Sequence, residues 1–236
     1  MAKKEICTKC NSNNIVLNGL TSGKRQKFRC DDCGCYRTLH TTQFYTKERR
    51  DEILHSYHER SSLRGTRRVY RVAISTVLRW LKKKELVPLS STLSPARSDD
   101  IIEYDELWSF VHDKKNKQWL WLAILRRTRQ VVAYHIGKRD NVSFEALYSR
   151  VPQEYKECQS RSDFWESYDL LPKKLHRKCG KETGETSQVE SINNVIRQRL
   201  GRYVRKTCSF SKSIVNHKMV TGLFLQEYNL ERLSVK

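Results

Sequence analysis

Residues 101–111 read IIEYDELWSFV, a run rich in β-branched and aromatic side chains with Asp105 at its centre. Side chains of these kinds favour strands, and a charge inside a strand is costly unless it is paired or binds a cation. Two further apolar runs follow closely at residues 119–125 and 131–136, with short polar turns between them. This arrangement predicts three consecutive antiparallel strands.

Beyond Asn141 the apolar residues recur at spacings of three and four, which is typical of a helix packed on one side. The residues that carry this pattern are Phe144, Leu147, Tyr148 and Val151. Strands that are followed by alternating strands and helices indicate a mixed α/β domain. We therefore predict such a domain over residues 101–236, with helices at its C-terminal end.

The segment before this domain is rich in Ser and Pro and reads as a linker over residues 88–100. On its N-terminal side we predict a zinc-binding module at residues 1–42 and a helical module at residues 43–87. The chain is thus interpreted as a multidomain α+β protein.

The first module contains the pattern C-x2-C-x19-C-x2-C, formed by CTKC and CDDC. Four thiolates in two close pairs suit the tetrahedral, fully protein-ligated site of structural Zn2+. The predicted ligands are Cys7, Cys10, Cys30 and Cys33. Cys35 is an alternative to Cys33, and the other interpretation is four buried or redox-active cysteines. A module this small could hardly fold on its own core, so metal binding would contribute to its folding.

The helical module has the pattern of a helix-turn-helix. Its last helix, in AISTVLRWLKKK, carries an apolar stripe of Ile74, Val77, Leu78 and Leu81. The opposite face bears donors that suit base edges and phosphates, as a recognition helix in a major groove requires. These donors are Ser75, Thr76, Arg79, Lys82 and Lys83. The alternative is an ordinary solvated helix with a basic outer face.

The charge of the chain points to a polyanionic partner. Its 46 Lys and Arg against 26 Asp and Glu give a net charge of +20 and a pI near 9.8. Residues 1–98 hold 21 basic and 8 acidic residues, which is +13 of that excess. With a mean hydropathy of −0.73, no run of about 18 apolar residues and no apolar leader at its start, the sequence argues against a membrane protein or a secreted disulfide scaffold.

Two more acidic residues stand out besides Asp105. Asp163, in RSDFWESY, follows a predicted strand whose sequence is poorly apolar. Glu190 lies on a predicted helix whose stripe is Val189, Ile192, Ile196 and Leu200, and it shares an adjacent face with Asn194 and Arg197. Isolated carboxylates are most often plain surface residues. From the residues alone, both interpretations stay open.

Several longer segments stand out between residue 5 and about residue 229. They are CTKC and CDDCG, YDELWSFV with KKNKQWLWLAI, SDFWESY, LHRKCGKETGETSQVESINNVIRQRLGR, and RKTCSFSKS. In these segments and in their order, the sequence resembles a transposase of the insertion-sequence-one family.

This resemblance implies a zinc finger and a helix-turn-helix that bind terminal inverted repeats, followed by an RNase H-like α/β domain with a mixed sheet. It places the catalytic carboxylates of the DDE type at Asp105, Asp163 and Glu190. Three such carboxylates can hold two Mg2+ or Mn2+ ions for cleavage and joining of DNA strands. Expected phosphate or DNA contacts in the matched segments are His176, Arg177, Lys181, Arg197 and Lys206.

The implied partners are double-stranded DNA, both the inverted repeats and the target, and a second copy of the chain, since two ends must be paired. The implied location is the prokaryotic cytoplasm, at the nucleoid. Ser191 departs from the basic residue that the family more often has after its glutamate. The alternative function is a sequence-specific DNA-binding regulator, or an inactive transposase copy, without catalysis.

Overall fold

A computed structural model describes residues 5–7, 9–39 and 45–234. The chain forms two compact units, residues 1–50 and residues 51–236. None of the helices in the described ranges is long and apolar enough to cross a membrane.

The first unit is built on a small antiparallel sheet of three strands in the order β1-β2-β3. The strands are β1 (Ile15–Leu20), β2 (Gln26–Cys30) and β3 (Tyr36–Thr38). Apart from three buried cysteines, the described core of this unit consists of Phe28 and Leu39, with Ile15 packed against it. This small number of apolar side chains buries little apolar surface. The cysteines must therefore contribute much of the stability of this unit.

Three helices follow: α1 (Lys47–His58), α2 (Leu63–Tyr70) and α3 (Ile74–Lys83). The Ser62 hydroxyl caps α2 by accepting a hydrogen bond from the Gly65 N–H at 2.9 Å. The helix ends at Arg71, whose φ of 54° is left-handed. The turn to α3 is therefore short.

Within the second unit, the ends of α1 and α3 are attached to the long C-terminal helix α7 (Ile214–Ser234) through Glu227. His58 Nδ1 lies 2.5 Å from one carboxylate oxygen of Glu227, and Lys84 Nζ donates to the other at 2.7 Å. A carboxylate only accepts, so Nδ1 of His58 carries the proton. The buried side chains of Val77 and Leu81 face the same interior.

The main sheet has five strands in the order β6-β5-β4-β7-β8. They are β4 (Ile101–Val111), β5 (Asp113–Leu125), β6 (Gln130–Gly137), β7 (Gln159–Ser162) and β8 (His176–Lys178). The first three pair antiparallel, which confirms that prediction, whereas β7 and β8 run parallel to β4. Strand β5 begins six residues earlier than predicted, because its polar first half continues the hairpin with β4 beyond the core.

Helices cover both faces of this sheet, which confirms the mixed α/β class. The remaining helices are α4 (Asn141–Tyr148), α5 (Gln153–Lys156) and α6 (Ser187–Arg199). One face packs on α4 through an aromatic cluster of Tyr104, Trp121, Phe144 and Tyr168. Side chains alternate along a strand, so the residues between these on β4 and β5 face the opposite side, towards α6.

Strand β7 has an inner position in the sheet despite its polar sequence. The hydroxyls of Ser160 and Ser162 lie 2.9 and 3.1 Å from the two ring nitrogens of His176 on β8. Burial lowers the pKa of His176 to about 4, so its ring is neutral near pH 7. The buried polar groups of β7 are thus satisfied inside the sheet, where sequence patterns would favour apolar side chains.

Candidate active site

Asp105 and Asp163 meet because β4 and β7 are parallel neighbours. Glu103 pairs with Arg161, so Asp105 is level with Asp163, which directly follows the end of β7. Carboxylate oxygens of Asp105, Glu106 and Asp163 all lie within 4.8 Å of one another. The sheet register therefore brings two of the three predicted carboxylates together at the carboxyl end of β7.

Glu190 reaches the same place from the first turn of α6, where its side chain is exposed. It lines one cleft of about 350 Å3 with Asp105 and Asp163, hereafter the carboxylate cleft. Further residues of its wall are Trp119, Arg139, Asn193, Asn194, Arg197 and Arg205. The three carboxylates that lie 27 to 85 positions apart in the sequence thus share one cavity.

Asp105 is held in an environment that disfavours its negative charge. Burial, and then the neighbouring charge of Glu106, raise the pKa of Asp105 to about 7. Asn193 Nδ2 donates a hydrogen bond to Asp105 Oδ2 at 2.6 Å and fixes its orientation. A cation in the carboxylate cleft would relieve this repulsion and favour the charged form.

Glu106 is the acidic neighbour that sequence reasoning missed. It also lines the carboxylate cleft, but its carboxylate accepts hydrogen bonds from the Tyr168 hydroxyl at 2.6 Å and from Arg139 Nε at 2.7 Å. Burial raises the pKa of Glu106, although Tyr168 and Arg139 act in the opposite direction. With both oxygens already engaged, Glu106 is a structural partner of Arg139. The alternation along a strand is the signal that separates its role from that of Asp105.

The residues of the carboxylate cleft suit a divalent metal. Carboxylates offer hard oxygen ligands of the kind that Mg2+ and Mn2+ prefer. Two buried polar atoms beside them, Asn193 Oδ1 and Arg197 Nε, have no hydrogen-bond partner within the described part of the chain. Asn193 Oδ1 is an acceptor that suits a cation, and Arg197 Nε–H is a donor that suits a phosphate oxygen. A site that binds both a cation and a phosphate needs groups of both kinds.

The predicted phosphate contacts are only partly brought to this cleft. Arg197 lines it, and so does Arg205, which sequence reasoning did not single out. Lys206 is exposed in the following turn. The ring of His176 is engaged by two serine hydroxyls of β7, Arg177 is exposed on β8, and the side chain of Lys181 lies outside what the structure describes.

In the first unit, the thiols of Cys7, Cys10, Cys30 and Cys33 come within 4.8 Å of one another. The Sγ atoms of Cys7 and Cys33 are 3.7 Å apart, and those of Cys10 and Cys30 are 3.6 Å apart. A tetrahedron with zinc–sulfur bonds of about 2.3 Å has edges of about 3.8 Å. The geometry fits Zn2+, and it selects Cys33 rather than Cys35 as the fourth member.

Within this cysteine cluster the electrostatics favour a thiolate at Cys7 but not at Cys10. A backbone hydrogen bond from Ser12 would lower the pKa of Cys10, but hydrogen bonding with the Cys33 thiol and burial raise it to about 12. A hydrogen bond from the Cys10 backbone lowers the pKa of Cys7 to about 6, although burial opposes it. Thiolates are the ligand form of cysteine, so part of the deprotonation that metal binding requires is already favoured.

Helix α3 presents the predicted basic face. Val77, Trp80 and Leu81 are buried on its inner side. Ser75, Arg79, Lys82 and Lys83 are exposed, and Thr76 is half-buried. The donors chosen from the sequence therefore lie on the outer side of the helix.

Known proteins match most of the second unit. The family model described as IS1 transposase matches residues 100–231. The InsB protein of insertion element iso-IS1n from Shigella dysenteriae is 37% identical over 132 residues, which is 54% of this chain and 95% of the relative. The InsB protein of insertion element IS1 2 from Escherichia coli (strain K12) is 34% identical over 146 residues, 60% of this chain and 85% of the relative. The matched region contains the carboxylate cleft with all three of its predicted acidic residues, and the chain belongs to the IS1 transposase family.

Proposed function

We propose that this protein is a DNA transposase that cuts DNA at the ends of an insertion sequence and joins the freed ends to target DNA. The observation that carries this proposal is the convergence of Asp105, Asp163 and Glu190 on one cleft. Family membership supports the same activity.

In the proposed reaction, a water or a DNA 3′-hydroxyl attacks phosphorus in line and the opposite oxygen leaves. Divalent ions held by Asp105, Asp163 and Glu190 would supply Lewis-acid stabilisation of the attacking and leaving oxygens. Asn193 keeps the Asp105 carboxylate in place through its 2.6 Å hydrogen bond. Arg197 and Arg205 line the cleft, and in this proposal they would hold non-reacting phosphates of the DNA.

The fold of the second unit supports an RNase H-like assignment for residues 101–236. Three antiparallel strands are followed by two strands parallel to the first, and helices cover both faces. In this arrangement Asp105 lies in the first strand, Asp163 after the fourth and Glu190 on a covering helix.

We assign recognition of the DNA ends to the residues before the linker. In this assignment residues 1–42 form a zinc finger, residues 43–87 a helix-turn-helix, and the exposed donors of α3 contact the inverted repeats. The concentration of positive charge in residues 1–98 supports it, because neutralised phosphates supply most of the affinity for DNA. Two copies of the chain would bring two ends together.

The experiment is a cleavage assay with DNA that carries the terminal inverted repeats flanking the gene. Wild-type protein should nick these ends in Mg2+ or Mn2+. Asp105→Asn, Asp163→Asn and Glu190→Gln should each abolish cutting, by at least about 1,000-fold if the carboxylates act as metal ligands, and should bind the same DNA as wild type does.

Asp113→Asn is the matched control, because Asp113 is an exposed aspartate on the adjacent hairpin. It should cut at the wild-type rate. Wild-type protein that binds the ends but cuts them with neither ion would instead support the DNA-binding regulator or the inactive copy.

A further inference from the structure

A second cleft, of about 560 Å3, opens beside the carboxylate cleft. The two share Trp119 and Arg139 in their walls. Its size lies within the roughly 300–1,000 Å3 of ordinary ligand pockets. We call it the tryptophan cleft, after Trp119 and Trp165.

The sheet places aromatic and basic groups together in this cleft. Lys117 and Trp119 occupy alternate positions of β5, so their side chains share one face. Lys115 lies in the irregular part of the hairpin just before Lys117 and lines the same cleft. Trp119 is opposite Gly137 on β6, which has no side chain to cover the indole on that strand. Trp165 comes from the turn two residues after Asp163, and Lys138 completes the wall.

Arg139 packs against both indoles. The centre of its guanidinium group lies 3.6 Å from the ring centroid of Trp165 and 4.8 Å from that of Trp119. The guanidinium is in turn anchored by its ion pair with Glu106. Because Glu106 balances the charge of Arg139, this arginine serves to order the aromatic rings, and a ligand that stacks on them loses little extra entropy.

The lysines, in contrast, are available. Lys115, Lys117 and Lys138 are exposed, and across the described residues no carboxylate forms an ion pair with any of their ammonium groups. Flat aromatic surfaces next to unpaired cations suit a ligand that has both a π-face and negative charge. An unpaired nucleotide has this combination, since its base stacks on aromatic rings and its phosphates attract lysine.

We propose that the tryptophan cleft binds an unpaired nucleotide of the DNA strand that is cut in the carboxylate cleft. The base stacks on Trp165 or Trp119, and Lys115, Lys117 and Lys138 neutralise the flanking phosphates. A paired base has both faces covered by its neighbours, so the cleft favours DNA that is melted next to the cutting site. The inference rests on the proposed function, because it concerns the strand that this function cuts.

Photocrosslinking tests this placement directly. The full-length protein is mixed with a single-stranded oligonucleotide that contains 5-iododeoxyuridine, in Ca2+ so that binding is measured without cutting, and crosslinked peptides are mapped by mass spectrometry. We expect crosslinks at Trp165 or Trp119. Crosslinks confined to other parts of the chain would overturn the proposal.

Substitutions supply a second measurement. Trp165→Ala should weaken binding of an oligo(dT) strand by about 5- to 150-fold, the range for loss of one stacked base. Binding of a fully paired duplex should change less than twofold, and Trp165→Phe should restore most of the lost affinity. Phe164→Ala is the matched control, because Phe164 is the exposed neighbouring aromatic residue but does not line the cleft.

If Trp165→Ala does not fold, Lys117→Gln provides the binding test instead. Lys117 is exposed and also lines the tryptophan cleft. The substitution should lower affinity for the single strand and reduce its salt dependence by about one charge. Equal losses in Phe164→Ala and Trp165→Ala, or equal losses for single-stranded and paired DNA, would overturn the proposal. Wild-type protein that cuts the repeat ends normally yet gives no crosslink in the cleft would refute only this inference. Crosslinking at Trp165 without any cutting would refute the transposase activity, and with it the link to a cut strand, but would leave nucleotide binding in the tryptophan cleft established.

Discussion

Glu103 on β4 accepts a hydrogen bond from the backbone N–H of Val189 at 2.9 Å, at the start of α6. The residue before that helix, Thr186, offers no side-chain cap of its own. The strand that carries Asp105 therefore caps the helix that carries Glu190. The same Glu103 carboxylate accepts from Arg126 Nε at 2.7 Å, so both of its oxygens are engaged although it is fully buried.

This relationship predicts that Glu103 positions the proposed catalytic carboxylates Asp105 and Glu190. Glu103→Ala would leave the Val189 N–H without an acceptor and remove a charge partner of Arg126, at a cost of about 3–5 kcal/mol in unfolding free energy. Glu103→Gln keeps an acceptor and should cost less than half as much. Urea unfolding measures both changes.

The cleavage rate of Glu103→Gln, taken well below its melting temperature, separates positioning from stability. We expect it to fall at least about tenfold, because a shift of a reacting group by a fraction of an ångström is costly. Glu185→Gln is the control, since Glu185 also pairs with Arg126 but caps no helix. Equal effects of the two variants on the rate would contradict the capping role.

A second prediction concerns the contribution of Glu227 to stability at acidic pH. Burial would raise the pKa of Glu227, but hydrogen bonds from His58 and Lys84 lower it to about 2. Since the unfolded value is about 4.3, this group contributes stability that is complete above about pH 5 and is lost as the pH falls towards 2. The contribution is at most about 3 kcal/mol.

Unfolding of wild type and Glu227→Gln should therefore be compared at pH 7 and at pH 3. The variant should be less stable at pH 7, and the difference should shrink at pH 3. Glu85→Gln, an exposed glutamate in the turn after α3, should show no such change. A difference that is constant between the two pH values would rule out the linkage.

For the cysteine cluster we expect about one Zn2+ per chain by metal analysis of the purified protein. Cys7→Ser or a strong chelator should remove the metal and unfold the first unit, because metal binding and folding are linked in so small a core. Cys35→Ser should retain the metal, since Cys35 is not in the four-thiol cluster. Metal-free protein with a folded first unit would disprove the zinc assignment.

Helix α3 gives a prediction about DNA recognition. Arg79→Ala removes an exposed donor from the basic face and should weaken binding to the inverted repeats by about 1–3 kcal/mol if it contacts a base. Binding to unrelated DNA should change little. An unchanged footprint on the repeats would remove Arg79 from the recognition face.

Much of the fold could be predicted from local patterns. The strand runs around Asp105, the helix stripe beside Glu190 and the paired cysteines each leave a periodic or spaced signal. Their positions in the structure agree with those patterns because the buried residues decide which face turns inward.

The rest depends on contacts that no local pattern records. Strand β7 is polar and inner because His176, from another strand, satisfies Ser160 and Ser162. The roles of Glu103 and Glu106 follow from partners between 23 and 86 positions away, on opposite faces of one strand. Such long-range pairing cannot be read from spacing, although two adjacent acidic residues in a strand were a signal that both faces hold polar sites.

The central claim is that Asp105 binds the catalytic metal, and the nicking rate of Asp105→Cys in Mg2+ and in Mn2+ tests it most directly. A thiolate is a poor ligand for Mg2+ and a better one for softer ions. We predict that the variant loses nicking in Mg2+, and that its ratio of Mn2+ to Mg2+ activity exceeds the wild-type ratio by at least about tenfold. Nicking by Asp105→Cys in Mg2+ at the wild-type rate, or wild-type protein that binds the ends and cuts in neither ion, would contradict the account.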